Sequence, residues 1–377
     1  MKSLRAKFLS LGMALVLALS ASGCAITTPA VVGSIGGVEI PAGIYLLAQY
    51  NAYSSAASAA DLATGETADD VKAVLNAQCT GTIGDEEVTT DGADYVARLT
   101  LRSLQHYAAV ETLFDELGGT LSDAATSEAA DQAESVWSSS GDLYAANGIG
   151  KDSLEAYLLN AAKATELLQL FYGENGQTPV TDEEYIDYLE NECLYLDMVQ
   201  LPLFDSSTYA FADEEQSQTI ESLAEECAAT LNEWATAEQG RGERFTSLYE
   251  AAMEYVPRAT EVLGATMESA QALNYAGSQL MTPDDLVTYG DALTDAVAEN
   301  GRNVWFTYNM GTAIGVLCAV DPLDAADLDS YKQSDLLTTM KQDELDQTLY
   351  EEGAALEQNL DESAMQVYKA ANIKRTV

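Results

Sequence analysis

Histidine is almost missing from this chain: 377 residues contain one, His106. A Ser-His-Asp or Cys-His triad would have to use that residue, and no Gly-x-Ser-x-Gly elbow stands ready to receive it. A histidine-rich zinc site is impossible. His106 lies inside a helical stretch beside Tyr107, where a lone histidine reads as a packed or surface residue. Basic residues are also few, with 17 Lys and Arg against 61 Asp and Glu and a formal charge of −44. Such a surface repels nucleic acid and anionic headgroups, so no nucleic-acid partner is expected. Cationic or unfolded polypeptides and divalent cations are tolerated by it, and acidic charge also serves simply to keep an exported protein soluble. No Asp-x-Asp-x-Asp-Gly loop marks a calcium site, and nothing in the sequence asks for a metal or a cofactor. Only 7 prolines are present, which excludes a disordered spacer.

Apolar runs long enough to span a membrane are missing as well. Phe8 to Leu19 is apolar over about twelve residues and follows Lys2, Arg5 and Lys7, the length and polarity of a secretory signal. Ala21, Ser22, Gly23 and Cys24 close it, and small residues leading into a cysteine resemble a bacterial lipobox. On that reading residues 1–23 are removed and Cys24 carries the lipid that anchors the protein on the extracytoplasmic side of the cell membrane. Two acyl chains hold stably where one would be marginal. The same residues also suit an ordinary cleavage site with an incidental cysteine. Lys2, Arg5 and Lys7 are the only charges in residues 1–23, so the remainder carries −47.

Of the 5 cysteines, Cys79, Cys193, Cys227 and Cys318 remain after Cys24. They lack Cys-x-x-Cys spacing. In an oxidising compartment they allow up to two disulfides, with three connectivities. Cys227 on an apolar helix stripe and Cys318 in an apolar strand read instead as buried thiols. Gly148 to Lys151 superficially suggests a phosphate loop, but Ala145 stands where its first glycine would fall and Asp152 where its Ser or Thr would.

What is present is enough apolar material, 47% of residues, for two or three domains. The chain is organised around Gly148 to Leu203. Asp152 and Glu155 have the spacing of a capping box, and Leu154, Tyr157, Leu158, Ala161, Leu168 and Phe171 then fall on one helical face. Gly173, Gly176 and Pro179 end that helix. Thr181 and Glu184 repeat the box, Tyr185, Tyr188 and Leu189 form a second buried face, and Leu194 to Leu203 turns strand-like. Upstream, Val31 to Glu39 reads as a hairpin about Gly36 and Gly37, and Pro41 opens a helix. Residues 54–92 are rich in Ala, Ser, Thr and Asp and predict a variable insertion with mixed helical signal. Tyr95 to Leu117 and Asp123 to Trp137 predict helices. Downstream, Ile220 to Trp234 predicts a helix, a turn at Gly240 and Gly242 leads to the apolar residues Phe245, Leu248, Tyr249 and Val256, and Leu293 to Asn300 runs to a turn at Gly301. Val304 to Tyr308 and Ala313 to Val320 predict strands, and Pro322 opens a helical tail.

Three words carry a resemblance to a known family: GSIGGVEIPAGIYLLAQY, NGIGKDSLEAYLLNAAKATELL and VTDEEYIDYLEN. They resemble the opening hairpin and capped helices of the extracytoplasmic foldases related to PrsA and SurA. In that family a helical chaperone domain surrounds a parvulin-type peptidyl-prolyl isomerase domain. The resemblance implies a mainly α fold with a small α+β insert: a signal at 1–23, a SurA N-terminal-like helical domain at 24–190, a parvulin-like domain at 191–322, and a helical segment at 323–377 that packs back on the N-terminal domain. It implies action on unfolded or secreted polypeptides. None of the matching words is catalytic, however. Active parvulins carry one histidine on the opening strand and a second in a Gly-Tyr-His-Ile word on the closing strand. Met198 or a neighbour stands at the first position here, and Ala313 at the second. A prolyl isomerisation barrier of about 20 kcal/mol calls for polar groups arranged around the twisted amide, so the insert is expected to be degenerate. An insert that still isomerises proline bonds, and a solute-binding or cell-envelope scaffold lipoprotein, are the alternatives.

Overall fold

The computed structural model describes residues 30–84, 86–205, 208–235 and 241–376. Residues 1–23 and Cys24 lie outside them. Two compact units divide the chain: the first joins the residues up to Leu167 with those from Gln347 onward, and the second is the uninterrupted stretch Leu168–Asp346.

The first unit opens with strands β1 (Val31–Ile35) and β2 (Val38–Pro41), turned by Gly36 and Gly37 at φ of 59° and 86°. Pro41 then starts helix α1 (Ala42–Ala59), whose inward face carries Ile44, Leu47, Ala48 and Tyr53. The expected variable insertion is an ordered three-stranded sheet, β3 (Ala60–Asp61), β4 (Gln78–Ile83) and β5 (Glu86–Asp91), with a short helix α2 (Val71–Asn76) between the first two. Its composition hid the pattern. Thr80, Thr82, Val88 and Thr90 are β-branched residues at alternating positions, which suit a pleated surface, and Gly84 at φ 66° supplies the bend. Asp91 caps α3 (Gly92–Glu116) by accepting from the Asp94 amide at 2.9 Å. Helix α4 runs on past Trp137, from Asp123 to Ala146, and α5 spans Lys151–Tyr172. The Gly150 carbonyl accepts the first amides of α5, at Ser153 and Leu154, so Asp152 lies inside its first turn rather than at the cap.

In the second unit the expected box forms as read. Glu184 N–H donates to Thr181 Oγ1 at 3.2 Å and Thr181 N–H to Glu184 Oε2 at 2.8 Å, opening α6 (Asp182–Asn191). Strand β6 (Leu194–Pro202) follows, then a small hairpin β7 (Phe204–Asp205) and β8 (Ala210–Phe211), and helices α7 (Glu214–Trp234) and α8 (Arg241–Val262). The chain continues through β9 (Ala276–Met281), α9 (Pro283–Val287), α10 (Asp291–Asn300), β10 (Trp305–Asn309) and β11 (Ala313–Val320). Four strands form one antiparallel sheet in the order β10-β11-β6-β9. Period-two alternation splits its faces: Val199, Leu201, Val316 and Cys318 pack with Cys227, Leu231 and Val256 of α7 and α8, while Leu196, Met198 and Leu317 pack with Leu293 and Val297 of α10. Then come α11 (Pro322–Ala325), α12 (Leu328–Lys332) and α13 (Leu336–Ala355).

The last elements, β12 (Gln358–Leu360) and α14 (Glu362–Val367), belong to the first unit. β12 pairs antiparallel with β1, so the N- and C-terminal stretches build one small sheet of order β12-β1-β2. The tail beyond it is fastened by polar groups: Asn147 Nδ2 donates to the Lys374 carbonyl and the Lys374 amide to Asn147 Oδ1, at 2.9 and 2.8 Å. The units divide inside α5 and inside α13, where the sequence reading drew its lines at 190/191 and 322/323. The helical tail from Pro322 therefore belongs to both units in succession, and it is interrupted by the strand β12 before α14. The chain as a whole is mainly helical with small antiparallel sheets.

Candidate functional site

A groove of about 730 Å³ lies in the first unit, between α3 on one side and β12 with α14 on the other. Val96, Leu101 and Leu104 of α3 face Leu360 and Met365, and Tyr45 and Gln49 of α1 also line it. The volume falls within the ~300–1,000 Å³ of ordinary ligand sites. α14 is set at the rim by Asp361, whose carboxylate accepts from the Ser363 and Ala364 amides at 2.8 and 3.2 Å.

Three of the groove's polar side chains are held by hydrogen bonds. Gln49, 5% exposed, donates to Tyr45 Oη at 3.1 Å and to the Tyr368 carbonyl at 3.0 Å. Burial raises the Tyr45 phenol above its usual value, with the Gln49 contact opposing the shift. Thr100 Oγ1 donates back to the Val96 carbonyl at 2.7 Å. The charges are Glu362 and Lys369. The groove offers apolar contact with a few fixed polar anchors, the make-up of a binding site.

Met198 and Ala313, the two positions expected to be degenerate, lie on the four-stranded sheet of the second unit. Met198 pairs with Leu317 and Ala313 with Pro202, so the two share one face but stand four register pairs apart, with Gln200 opposite Gly315 midway between them. Met198 is buried, and its sulfur accepts from Gln200 Nε2 at 3.3 Å. The space beside Met198, which Gln200, Tyr289 and Tyr308 also line and Ala313 does not, is about 30 Å³, room for one or two waters and too little for a prolyl ring. His106 is in the first unit, on α3, with its ring 4.9 Å from that of Tyr350. Among the described residues no cluster of His, Cys, Asp and Glu fits a metal ion.

The four cysteines downstream of Cys24 are buried thiols, with no disulfide between them. Cys193 and Cys227 are pushed up to about 12, chiefly by burial and then by nearby carboxylates, Glu192 and Asp285 for the first and Glu254 and Glu226 for the second. They are inert at neutral pH. Among the described residues no helix is long and apolar enough to cross a membrane.

Sequence reasoning missed the C-terminal wall of the groove. Leu356 reads as the end of a helical stripe, and a strand of three residues, Gln358 to Leu360, is too short for a period to show. Asp361 two residues ahead of Ser363, in capping position, was the one available sign that the helix had stopped. Asp197 was missed too: it is 3% exposed on β6, and Ser278 of β9 donates to its carboxylate. Its neighbours in the strand are apolar, so it stood out only as a break in the run.

No protein-family model matches this chain, and no curated protein matches it.

Proposed function

We propose that this protein is a PrsA/SurA-like extracytoplasmic lipoprotein, anchored through Cys24, that holds unfolded or secreted polypeptides in the groove of its first unit. Its second unit is a degenerate parvulin-like insert without efficient prolyl isomerase activity. One observation carries the reading: the first unit is assembled from both ends of the chain, with β12 paired on β1, and the second is inserted between them as one continuous stretch. That is the layout in which a helical chaperone domain surrounds an insert. The second unit also runs in the expected order, with opening strand β6, helices α7 and α8, and a closing hairpin β10–β11 whose last strand pairs back on β6. The degenerate reading is supported by Met198 and Ala313 standing where the family carries histidines, and by a space beside Met198 of only ~30 Å³.

Two assays on the purified protein test this together. Light scattering of a reduced, aggregating client should be delayed at stoichiometric amounts of protein. A protease-coupled isomerase assay on a proline tetrapeptide should run at the uncatalysed rate. Acceleration that disappears on mutating Met198 or Gln200 would mean an enzyme working without the histidine pair. No delay with any client would remove the chaperone reading and leave a solute-binding or scaffold lipoprotein.

A further inference from the structure

We infer that the groove takes its client as an added β-strand, an extended segment with alternating apolar and basic residues that pairs on the outer edge of β12. This rests on the chaperone reading of the same groove. The edge is open. β12 stands at the end of the order β12-β1-β2. Gly36 N–H donates to the Glu357 carbonyl and Asp361 N–H to the Val32 carbonyl, each at 2.9 Å. In an antiparallel ladder the residues between such bonds alternate, so 357, 359 and 361 turn their backbone groups to β1. Gln358 and Leu360 turn theirs away, and among the described residues no backbone group bonds to them.

The two faces of that edge differ in chemistry. The side chains of Gln358 and Leu360 enter the groove, beside Val96, Leu101 and Leu104 of α3. Glu357, Asn359 and Asp361 lie on the opposite, exposed face, and Glu39 joins them across the sheet because Ser34 pairs with both Asn359 and Glu39. A strand added at the edge would continue both faces. Its groove-side residues meet apolar surface, and its alternate residues meet carboxylates, which selects Lys and Arg. Backbone pairing supplies affinity that does not depend on sequence, and the alternation supplies preference. Both properties suit a protein that must accept many secreted segments, and a chain of formal charge −44 attracts basic ones.

The test uses a labelled peptide of alternating Val and Lys, with binding to the purified protein read by fluorescence anisotropy. Two N-methylated versions block alternate amides, one on the Val positions and one on the Lys positions. Strand addition predicts that one pattern lowers affinity by about tenfold or more and the other leaves it nearly unchanged. Equal loss, or no loss, from both patterns overturns edge pairing whatever the protein variants do. On the protein, Gln358→Pro and Leu360→Pro each remove an outward N–H without touching the bonds to β1, and each should weaken binding while circular dichroism stays unchanged. Glu357→Lys should lower affinity for the Val-Lys peptide and raise it for a Val-Asp peptide. If clients are still protected from aggregation but both N-methyl patterns behave alike, strand addition is wrong and the holding function stands. If no client is protected, the function itself falls.

Discussion

Gly33 offers the sharpest test of whether the two ends of the chain are one folded unit. Its φ is 122°, in the region that L side chains avoid, and a Cβ there would sit 2.3 Å from the Asn359 carbonyl oxygen and 2.6 Å from Leu360 Cα. Both obstacles are backbone, so Gly33→Ala cannot be relieved by turning a side chain. β12 must shift off β1, and the bonds Asp361 N–H to Val32 and Gly36 N–H to Glu357 go with it. The backbone strain costs about 1–2 kcal/mol. Each ladder bond contributes about 1 kcal/mol. The expected loss is therefore about 3–4 kcal/mol, a large part of the ~5–15 kcal/mol that holds a domain. Gly37→Ala is the matched control, because its φ is 86° but nothing lies within 4 Å of its Cβ, leaving the strain alone. Gly277→Ala, in β9 with open space around it, controls for substitution in the second unit. Urea unfolding followed by circular dichroism gives the three values, and limited proteolysis reports release of the C-terminal stretch. If Gly33→Ala costs no more than Gly37→Ala, β12 does not hold β1 in solution, and the groove wall and the composite unit both fail with it.

Other outcomes follow from named groups. Thr181→Ala removes the hydroxyl that caps α6 and should cost about 1 kcal/mol in the second unit, while Thr181→Ser should restore most of it. Cys193 and Cys227, raised to about 12 from an ordinary 9.0, should react with Ellman's reagent at pH 8 on the order of a thousandfold more slowly in the native protein than in guanidinium. The same shifts set the sign of the alkaline limit. The folded protein keeps protons that the unfolded chain releases, so stability is intact below about pH 9 and declines as pH rises from 9 towards 12, with Tyr188, also raised to about 12, adding to the fall. A melting temperature that holds steady from pH 9 to 11 would contradict that burial.

How much of this was legible beforehand depends on the length of the pattern. β11 at Ala313–Val320 coincides with its sequence reading because eight apolar residues between turn signals admit little else. The Thr181–Glu184 box was readable because a cap is local chemistry. β4 and β5 were obscured because threonine counts as polar in a search for helical stripes, although its branched Cβ favours a strand. Met198 and Ala313 could be placed on strands from sequence, yet their separation by four register pairs follows from the pairing of β6 with β11, which no local signal carries.

By itself the sequence determined the charge, the absence of a second histidine and with it of any site built on a histidine pair, the capped helices and the long apolar strands. Each of these depends on composition or on neighbours within a few residues. Tertiary structure alone decided that β12 completes the sheet begun by β1, across more than 320 positions of chain. It also decided that the groove is walled by residues from both ends, and that an open strand edge lies beside it with apolar side chains on one face and carboxylates on the other. Strand pairing between remote segments is a property of closure, paid for by loop entropy and rewarded only when the partner arrives, so three residues such as Gln358 to Leu360 acquire their meaning from β1.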